Sequence, residues 1–430
     1  MHNQLRRRRT LAVAALAVSA LLAIGGCSSS DDSAPASVAE GTTQPSTSAL
    51  PSGAVSSASS QWFESATLAG VHKIVGSRHA AVVIGNEGSG PLQMRGYSPD
   101  GTAKGSVSIP EGSNEVCGLF AFDTDDGPRV GYRQRTSVAA EGIVPEKWVT
   151  TIVVRDALTL KEEWSTKVAE DTDIGNTGCS DSTVETITHN GGWVVVSLEN
   201  SDGYVTAVLD SGSGKLAQEL EGYPTIRGDY VALTVGPPRR LQIEEARMIE
   251  PGTGKTVAQL TGLYKTQGRM GRNLQGSLLA NEDLGGDGER GYVFEDETLY
   301  YVSWKDLSVI KKVPLPGEYA GDLLVDNSAK RLYVPVKVDG AYALHALDAD
   351  RGYAELWHQP GVRSVCAAYP SSVVVAAEES GNFGSLAPSD GKQRSYTSVR
   401  NTVGCGLVVG DYTFLRLAPS ESYNVVRFAP

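Results

Sequence analysis

The chain has 430 residues, of which 50 are acidic and 38 basic, for a net charge of −12. A surface of that sign repels nucleic acid and anionic lipid headgroups, which excludes polyanion binding as a main role. The length allows one domain or two and is ample for a large core.

The first segment, residues 1–26, opens with the basic cluster Arg6–Arg9 and continues as an apolar run from Leu11 to Ile24-Gly25-Gly26. A basic start, a short apolar core and small residues before a cut are the marks of an export signal. The run is too short to span a bilayer comfortably. Arg8-Arg9-Thr10-Leu11-Ala12 fits a loose twin-arginine pattern, so general secretion and folded export both stay open. The ending Ile24-Gly25-Gly26-Cys27 resembles the bacterial lipoprotein box. That resemblance implies that Cys27 is the first mature residue, acylated with palmitate-type chains that hold the protein on the extracytoplasmic face of the cell membrane. Each buried methylene of such a chain contributes about 0.8 kcal/mol.

Residues 27–60 follow as a tether of Ser, Ala, Thr, Pro and Gly. This composition cannot bury enough apolar surface to offset the entropy of ordering, so it is expected to be disordered. A coil of that length spans roughly 30 Å. Residues 61–430 contain no second linker and read as one domain.

Within that domain, short alternating or apolar runs are broken by Gly, Asp and Asn. The expected strands include Ala80–Ile84, Thr151–Val154, Trp193–Leu198, Val231–Val235, Tyr300–Trp304, Arg331–Val336, Val373–Ala377 and Gly406–Val409. Long helical periods are missing, so the fold class is all-β. A phrase recurs beneath the strands: an acidic residue, a turn-forming pair, often Gly-Lys, then another strand. Its clearest copies are Val154–Lys161 with Trp164, Val208–Lys215, Met248–Lys255 and Ala346–Gly352 with Trp357. Weaker copies lie at Tyr97–Lys104, Trp304–Lys311 and Leu386–Lys392. Each copy is a hairpin in which the acid accepts backbone N–H bonds and Gly takes the left-handed position. Units of about four strands at such a period must stack to bury both faces, which gives a β-propeller.

The pattern Ala-x-Asp-x-x-Thr-Gly-Lys-x-x-Trp resembles the blade repeat of the quinoprotein-like (PQQ-like) β-propellers. The copy at Val154–Trp164 keeps Asp156, Thr159, Lys161 and Trp164, but has Val154 for Ala and Leu160 for Gly. After the seventh turn come Val403–Val409, Tyr412–Leu417 and Tyr423–Phe428, three strands wanting a fourth, which Gln61–Leu68 can supply. Eight four-stranded blades are therefore expected, with seven as the alternative. Cys117 and Cys179 each fall where a blade's first strand opens, in successive blades, and so do Cys366 and Cys405. The expected disulfides are Cys117–Cys179 and Cys366–Cys405.

No motif assigns a catalytic, cofactor-binding or metal-binding residue. Gly252-Thr253-Gly254-Lys255-Thr256 ends like a phosphate loop but has Ile249 where that loop needs its first Gly, so it reads as a repeat turn. Asp171–Asn176 and Asp283–Glu289 place oxygens close together but carry no full calcium-loop signature. Glu162-Glu163, Glu244-Glu245 and Glu378-Glu379 are strand neighbours pointing to opposite faces. The histidines after the signal are His72, His79, His189, His345 and His358, and no pair has the spacing of a known metal motif. Quinoprotein dehydrogenases usually carry adjacent cysteines over the cofactor, and here no two cysteines are adjacent.

The expected function is a membrane-anchored, extracytoplasmic propeller that binds or scaffolds an envelope protein without a cofactor. Propeller lipoproteins that organise other envelope proteins are the nearest family analogy. The working surface is expected on one rim, built from Thr124–Pro128, Gln134–Lys147 and Pro237–Arg240. The alternatives are a quinone-dependent dehydrogenase, a lyase or hydrolase at the channel mouth, and a small-ligand sensor or carrier.

Overall fold

The computed structural model describes residues 62–86, 91–109, 116–139, 147–171, 184–187, 192–200, 203–235, 245–261, 284–295, 298–399, 402–417 and 422–428. The signal, Cys27 and the tether lie outside these residues. The described residues contain strands and turns, and no helix among them is long and apolar enough to cross a membrane.

They form eight antiparallel sheets, the blades of a β-propeller. Blade one runs Val71–Gly76, Ala81–Gly85, Gln93–Tyr97 and Ala103–Ser108, each strand pairing with the next in sequence. Blade two repeats the order with Val116–Thr124, Gly127–Val138, Lys147–Asp156 and Glu162–Asp171. The expected strands coincide with observed ones, except that Ala80 and Trp304 fall one residue outside theirs, and the recurring phrase is the link from third to fourth strand in blades one to seven.

The eighth blade is composite. Thr402–Val409, Tyr412–Leu417 and Ser422–Phe428 supply three strands, and Trp62–Leu68 pairs with Ser422–Phe428 as the fourth. Eight blades therefore stand, and seven is ruled out. Closing the ring this way pairs Ser422–Phe428 on both sides.

The ring's core is divided among eight apolar clusters, each between two successive blades. The second strands explain this. In blade one Val82 and Ile84 face blade two, while Ala81 and Val83 face blade eight. A strand buried on both faces reads as a continuous apolar run, as Ala81–Ile84 and Val373–Ala377 do. The first strands of successive blades lie against one another around the axis.

Two blades depart from the pattern. In blade five the described residues give Arg290–Glu295, Thr298–Ser303 and Val309–Pro314, the second to fourth positions. In blade six the first position is divided between Glu318–Tyr319 and Leu324–Asp326, both paired with Arg331–Val338. Pro335 accounts for the break. Its carbonyl accepts from the Ala320 amide at 3.0 Å, but it has no N–H to return, so the ladder is interrupted opposite it.

Cys366 on Val362–Tyr369 and Cys405 on Thr402–Val409 form a disulfide with Cα atoms 5.6 Å apart. These are the first strands of blades seven and eight. Each cysteine sits at a register shift, so the bridge joins two bulges. Cys117 lies on the first strand of blade two, while Cys179 and hence the expected Cys117–Cys179 bridge fall outside the described residues.

Candidate functional site

Strand alternation sorts the links into two rims. First-to-second and third-to-fourth links lie on one rim, and second-to-third and blade-to-blade links on the other. The first rim is made of tight turns. Asp156 Oδ1 accepts from the Thr159 amide at 2.6 Å, the Thr159 hydroxyl at 2.7 Å and the Leu158 amide at 3.2 Å. Asp210 does the same with Ser213, at 2.8 and 2.6 Å. The Gly252–Thr256 segment belongs to such a turn, with the Gly254 amide bonded to the Glu250 carbonyl at 2.9 Å.

Thr124–Pro128 is also on this rim, because Thr124 pairs with Gly127 in a first-to-second hairpin. Gln134–Lys147 and the link from Val235 to Glu245 are second-to-third connections whose flanking strands end at the opposite rim, while residues 140–146 and Pro237–Arg240 themselves lie outside the described residues. The three loops expected together on one surface are thus divided between two. Counting strands in alternation, rather than loops by composition, is the signal that separates them.

The second rim carries a raised feature. In blade one the second strand spans 5 residues, but in blade two it spans 12 and its two outer neighbours 10 each. The first strand of blade two pairs with the second only as far as Gln134. Beyond it, Arg135–Val138 pair with Lys147–Thr150, and Trp148–Thr150 pair with Ala169–Asp171. This three-stranded ledge rises about 13 Å at roughly 3.3 Å per residue. The Arg135 guanidinium lies 4.5 Å over the Trp148 ring and stiffens it. Thr136, Ser137 and Val138 are exposed, Val138 at 40%. Gln134–Val138 and Lys147 of the expected loop are therefore strand, and residues 140–146 lie outside the described residues.

A cleft of about 250 Å3 opens between blades five and six, on the tight-turn rim. Tyr292, Tyr301 and Tyr353 line it together with Arg290, Asp287 and Asp350. The Tyr292 and Tyr353 hydroxyls are 3.0 Å apart, and the Tyr292 and Tyr301 rings stack at 4.8 Å. Burial, and then the bond to Tyr353, push the Tyr292 phenol well above its ordinary value. Burial also raises Tyr353. Both phenols are consequently neutral hydrogen-bonding groups. The Asp283–Glu289 loop borders this cleft, and Asp287 Oδ1 accepts the Arg290 amide at 3.0 Å as the carboxylate of a turn.

On the outer hairpin of blade six, Ala341–Asp348 and Ala354–Pro360, His345 pairs directly across from His358. Glu355 joins them because the register shifts between Ala346 and Leu347, putting residues three apart on one face. His345 Nδ1 is 2.7 Å from Glu355 Oε2, and His358 Nδ1 is 2.9 Å from Glu355 Oε1. The two rings stack at 5.2 Å. Burial pushes the His345 imidazole below its ordinary value. Burial works against ionisation of Glu355 too, but the bonds from His358 and His345 prevail and hold its carboxyl low. The arrangement is a carboxylate accepting from two imidazoles. Sequence spacing alone missed it. The thirteen-residue separation of His345 and His358 becomes a signal only when the repeat turn is used to set the hairpin register.

In each of the remaining acidic pairs at least one described member has a structural partner. Arg155 pairs with Glu162 at 3.2 Å and Arg129 approaches Glu163 at 3.9 Å. Glu379 accepts from Asn382 at 2.9 Å. Residues 172–176 of the first acidic loop, and Glu244, lie outside the described residues.

No family model matches the chain, and no curated protein matches its sequence. Solved structures share its architecture. BamB from Moraxella catarrhalis is 13% identical, with 85% of this chain and 98% of that chain covered and a TM-score of 0.48. The C-terminal WD40 domain of Sif2 is 10% identical over 86% of this chain and 99% of that chain, with a TM-score of 0.47. The quinohemoprotein alcohol dehydrogenase of Comamonas testosteroni is 9% identical over 86% of this chain and 77% of that chain, also with a TM-score of 0.47. These likenesses are of fold alone. The eight-bladed assignment rests on the chain's own sheets and inter-blade clusters.

Proposed function

We propose that this protein is a lipid-anchored, extracytoplasmic propeller that binds an envelope protein through the rim bearing the blade-two ledge. The ledge carries the reading. A three-stranded extension stiffened by Arg135 on Trp148 costs ordering entropy and leaves Thr136–Val138 exposed, as expected of a surface built for a partner. Aromatic and arginine side chains are also the residue types that anchor protein interfaces. The lipoprotein-type ending at Cys27 and the tether after it support placing that surface off a membrane.

The test is a photo-crosslinking amino acid at Val138, with one at Asp125 on the opposite rim as control, in cells expressing the full chain. A single abundant protein crosslinked from Val138, not from Asp125, and weakened by Trp148→Ala, supports the reading. Equal labelling from both rims overturns it. Cys27→Ala in the same cells is expected to move the protein from the membrane to the soluble fraction. A membrane fraction unchanged by that substitution removes the lipid anchor.

A second reading, a small-ligand sensor or carrier, has the Tyr292–Tyr301–Tyr353 cleft behind it. A ligand-dependent rise in melting temperature that Tyr301→Ala abolishes is its signature.

A further inference from the structure

We propose that His345, Glu355 and His358 form a binding site for one divalent transition ion of the zinc class. The site lies on the outer hairpin of blade six, and the inference is independent of the rim reading above.

The geometry begins with register. Directly opposed residues on neighbouring strands point to the same face, and the bulge after Ala346 brings Glu355 into phase with them. Three side chains from one rigid hairpin converge without any loop having to move. Donor atoms around one zinc-sized ion, bound at about 2.0–2.2 Å, sit about 3 Å apart. The two Nδ1-to-carboxylate separations, 2.7 and 2.9 Å, are already of that size. All three donor groups lie within 4.8 Å of one another. The His358 side chain is 57% exposed and has room to turn across the remaining gap.

The donor set decides the ion. Two imidazoles and one carboxylate suit zinc, copper, nickel, cobalt or iron, whereas calcium and magnesium prefer oxygen alone. The carboxylate offsets part of the ion's charge, and the acidic chain attracts cations at longer range. His345 is buried and fixes one ligand, while the Glu355 and His358 side chains are 41% and 57% exposed. The remaining coordination positions therefore face solvent, open to water or to a ligand from outside. Coordination through Nδ1 moves the proton of each neutral imidazole to Nε2. His345 Nε2 is buried without a hydrogen-bond partner. That unpartnered donor weakens binding relative to a closed structural zinc site.

Cobalt(II) titration of the untagged full chain at neutral pH is the experiment. One ion per chain with a visible d–d absorption band is expected, and zinc should displace it while calcium and magnesium do not. Glu355→Gln and His358→Ala should each weaken binding at least about tenfold. His358 is exposed and Glu355→Gln keeps an acceptor oxygen for His345, so the metal-free variants should melt close to the parent protein. No visible band up to millimolar cobalt overturns the proposal. So does a band whose affinity is unchanged in both variants, since the ion would then sit on other residues.

Discussion

The indole N–H of Trp164, on the outer strand of blade two, donates to the Ser211 carbonyl in the third blade's turn at 2.9 Å. Trp357 of blade six does the same to Pro388 in blade seven at 2.8 Å. Under each ring lies a left-handed glycine, Gly214 with φ 69° and Gly391 with φ 68°. A Cβ at either position would collide with the indole. In blades two and five, whose preceding blade has no tryptophan there, the same left-handed position holds a leucine, whereas in blade four it holds Gly254, which faces Gln218 instead of an indole. Leu160 and Leu307 have φ 59° and 57°, are buried, and fill the space an indole occupies elsewhere. Tryptophan and turn residue are thus complementary halves of one inter-blade joint.

Trp164→Ala is expected to destabilise the ring by about 3–5 kcal/mol. Gly214→Leu alone should cost about 1–3 kcal/mol through the strained φ, and the collision with the indole adds to it. Combining Trp164→Ala with Gly214→Leu rebuilds the joint as blades one and two have it. Urea unfolding of the four proteins should show a double variant more stable than the sum of the single losses requires. Simple additivity would show that the two residues do not share the joint.

Acid should unfold the protein in two stages. Asp100 is held low first by the Ser98 hydroxyl and then by the Thr102 amide, and Asp306 by the hydroxyls of Ser303 and Ser308. Burial works against Asp156, but the amide and hydroxyl of Thr159, the Leu158 amide and Arg129 together bring it below its ordinary value. Carboxyls depressed in the folded state contribute stability above about pH 3.9 and lose it as pH falls through their folded values. His345, depressed by burial, acts earlier: unfolded chains take up its proton below about pH 6.5. The urea midpoint should fall shallowly below that pH and steeply below about 4. Asp156→Asn should lower the midpoint at neutral pH and flatten the steep limb. An unchanged steep limb would place the titrating groups elsewhere.

The Cys366–Cys405 bridge closes a loop with a sequence separation of 39. In the chain-entropy view such a loop is worth about 2–4 kcal/mol. Cys366→Ser/Cys405→Ser should unfold at correspondingly lower urea and lose no stability on adding reductant. Peptide mapping of alkylated protein reads the pairing directly, and a free Cys366 in the oxidised chain would contradict it.

Deleting residues 62–68 should expose the edge of Ser422–Phe428 and leave one side of the blade-eight core bare. Association on size-exclusion chromatography and a lowered melting temperature are expected. A synthetic peptide of the deleted sequence should restore the monomer in part. A monomeric deletion variant of unchanged stability would rule out that strand as the closure.

Much of this architecture is legible in residues. Asp156, Asp210 and the Gly-Lys pairs mark third-to-fourth turns because a tight turn allows few side chains. Val403–Phe428 wants a fourth strand because an edge is costly. Leu160 and Leu307 were opaque, since their left-handed backbone is stabilised by a cavity in the neighbouring blade. The functional surfaces were less legible. The ledge hides in Gln134–Lys147 because an extended hairpin and a long loop share polar composition. His345, Glu355 and His358 escape notice because a bulge, which leaves no mark in spacing, sets them on one face.

The closing strand also dictates when this protein can finish folding. Thr67 donates to Asn424 at 2.9 Å across 357 residues of chain, so Trp62–Leu68 has no partner until Ser422–Phe428 is available. A product that stops before Ser422–Phe428 leaves Trp62–Leu68 without its partner strand and bares the edge of Tyr412–Leu417. Closure of blade eight therefore makes the two ends of the domain depend on each other: either strand without the other is an exposed edge open to proteases and chaperones.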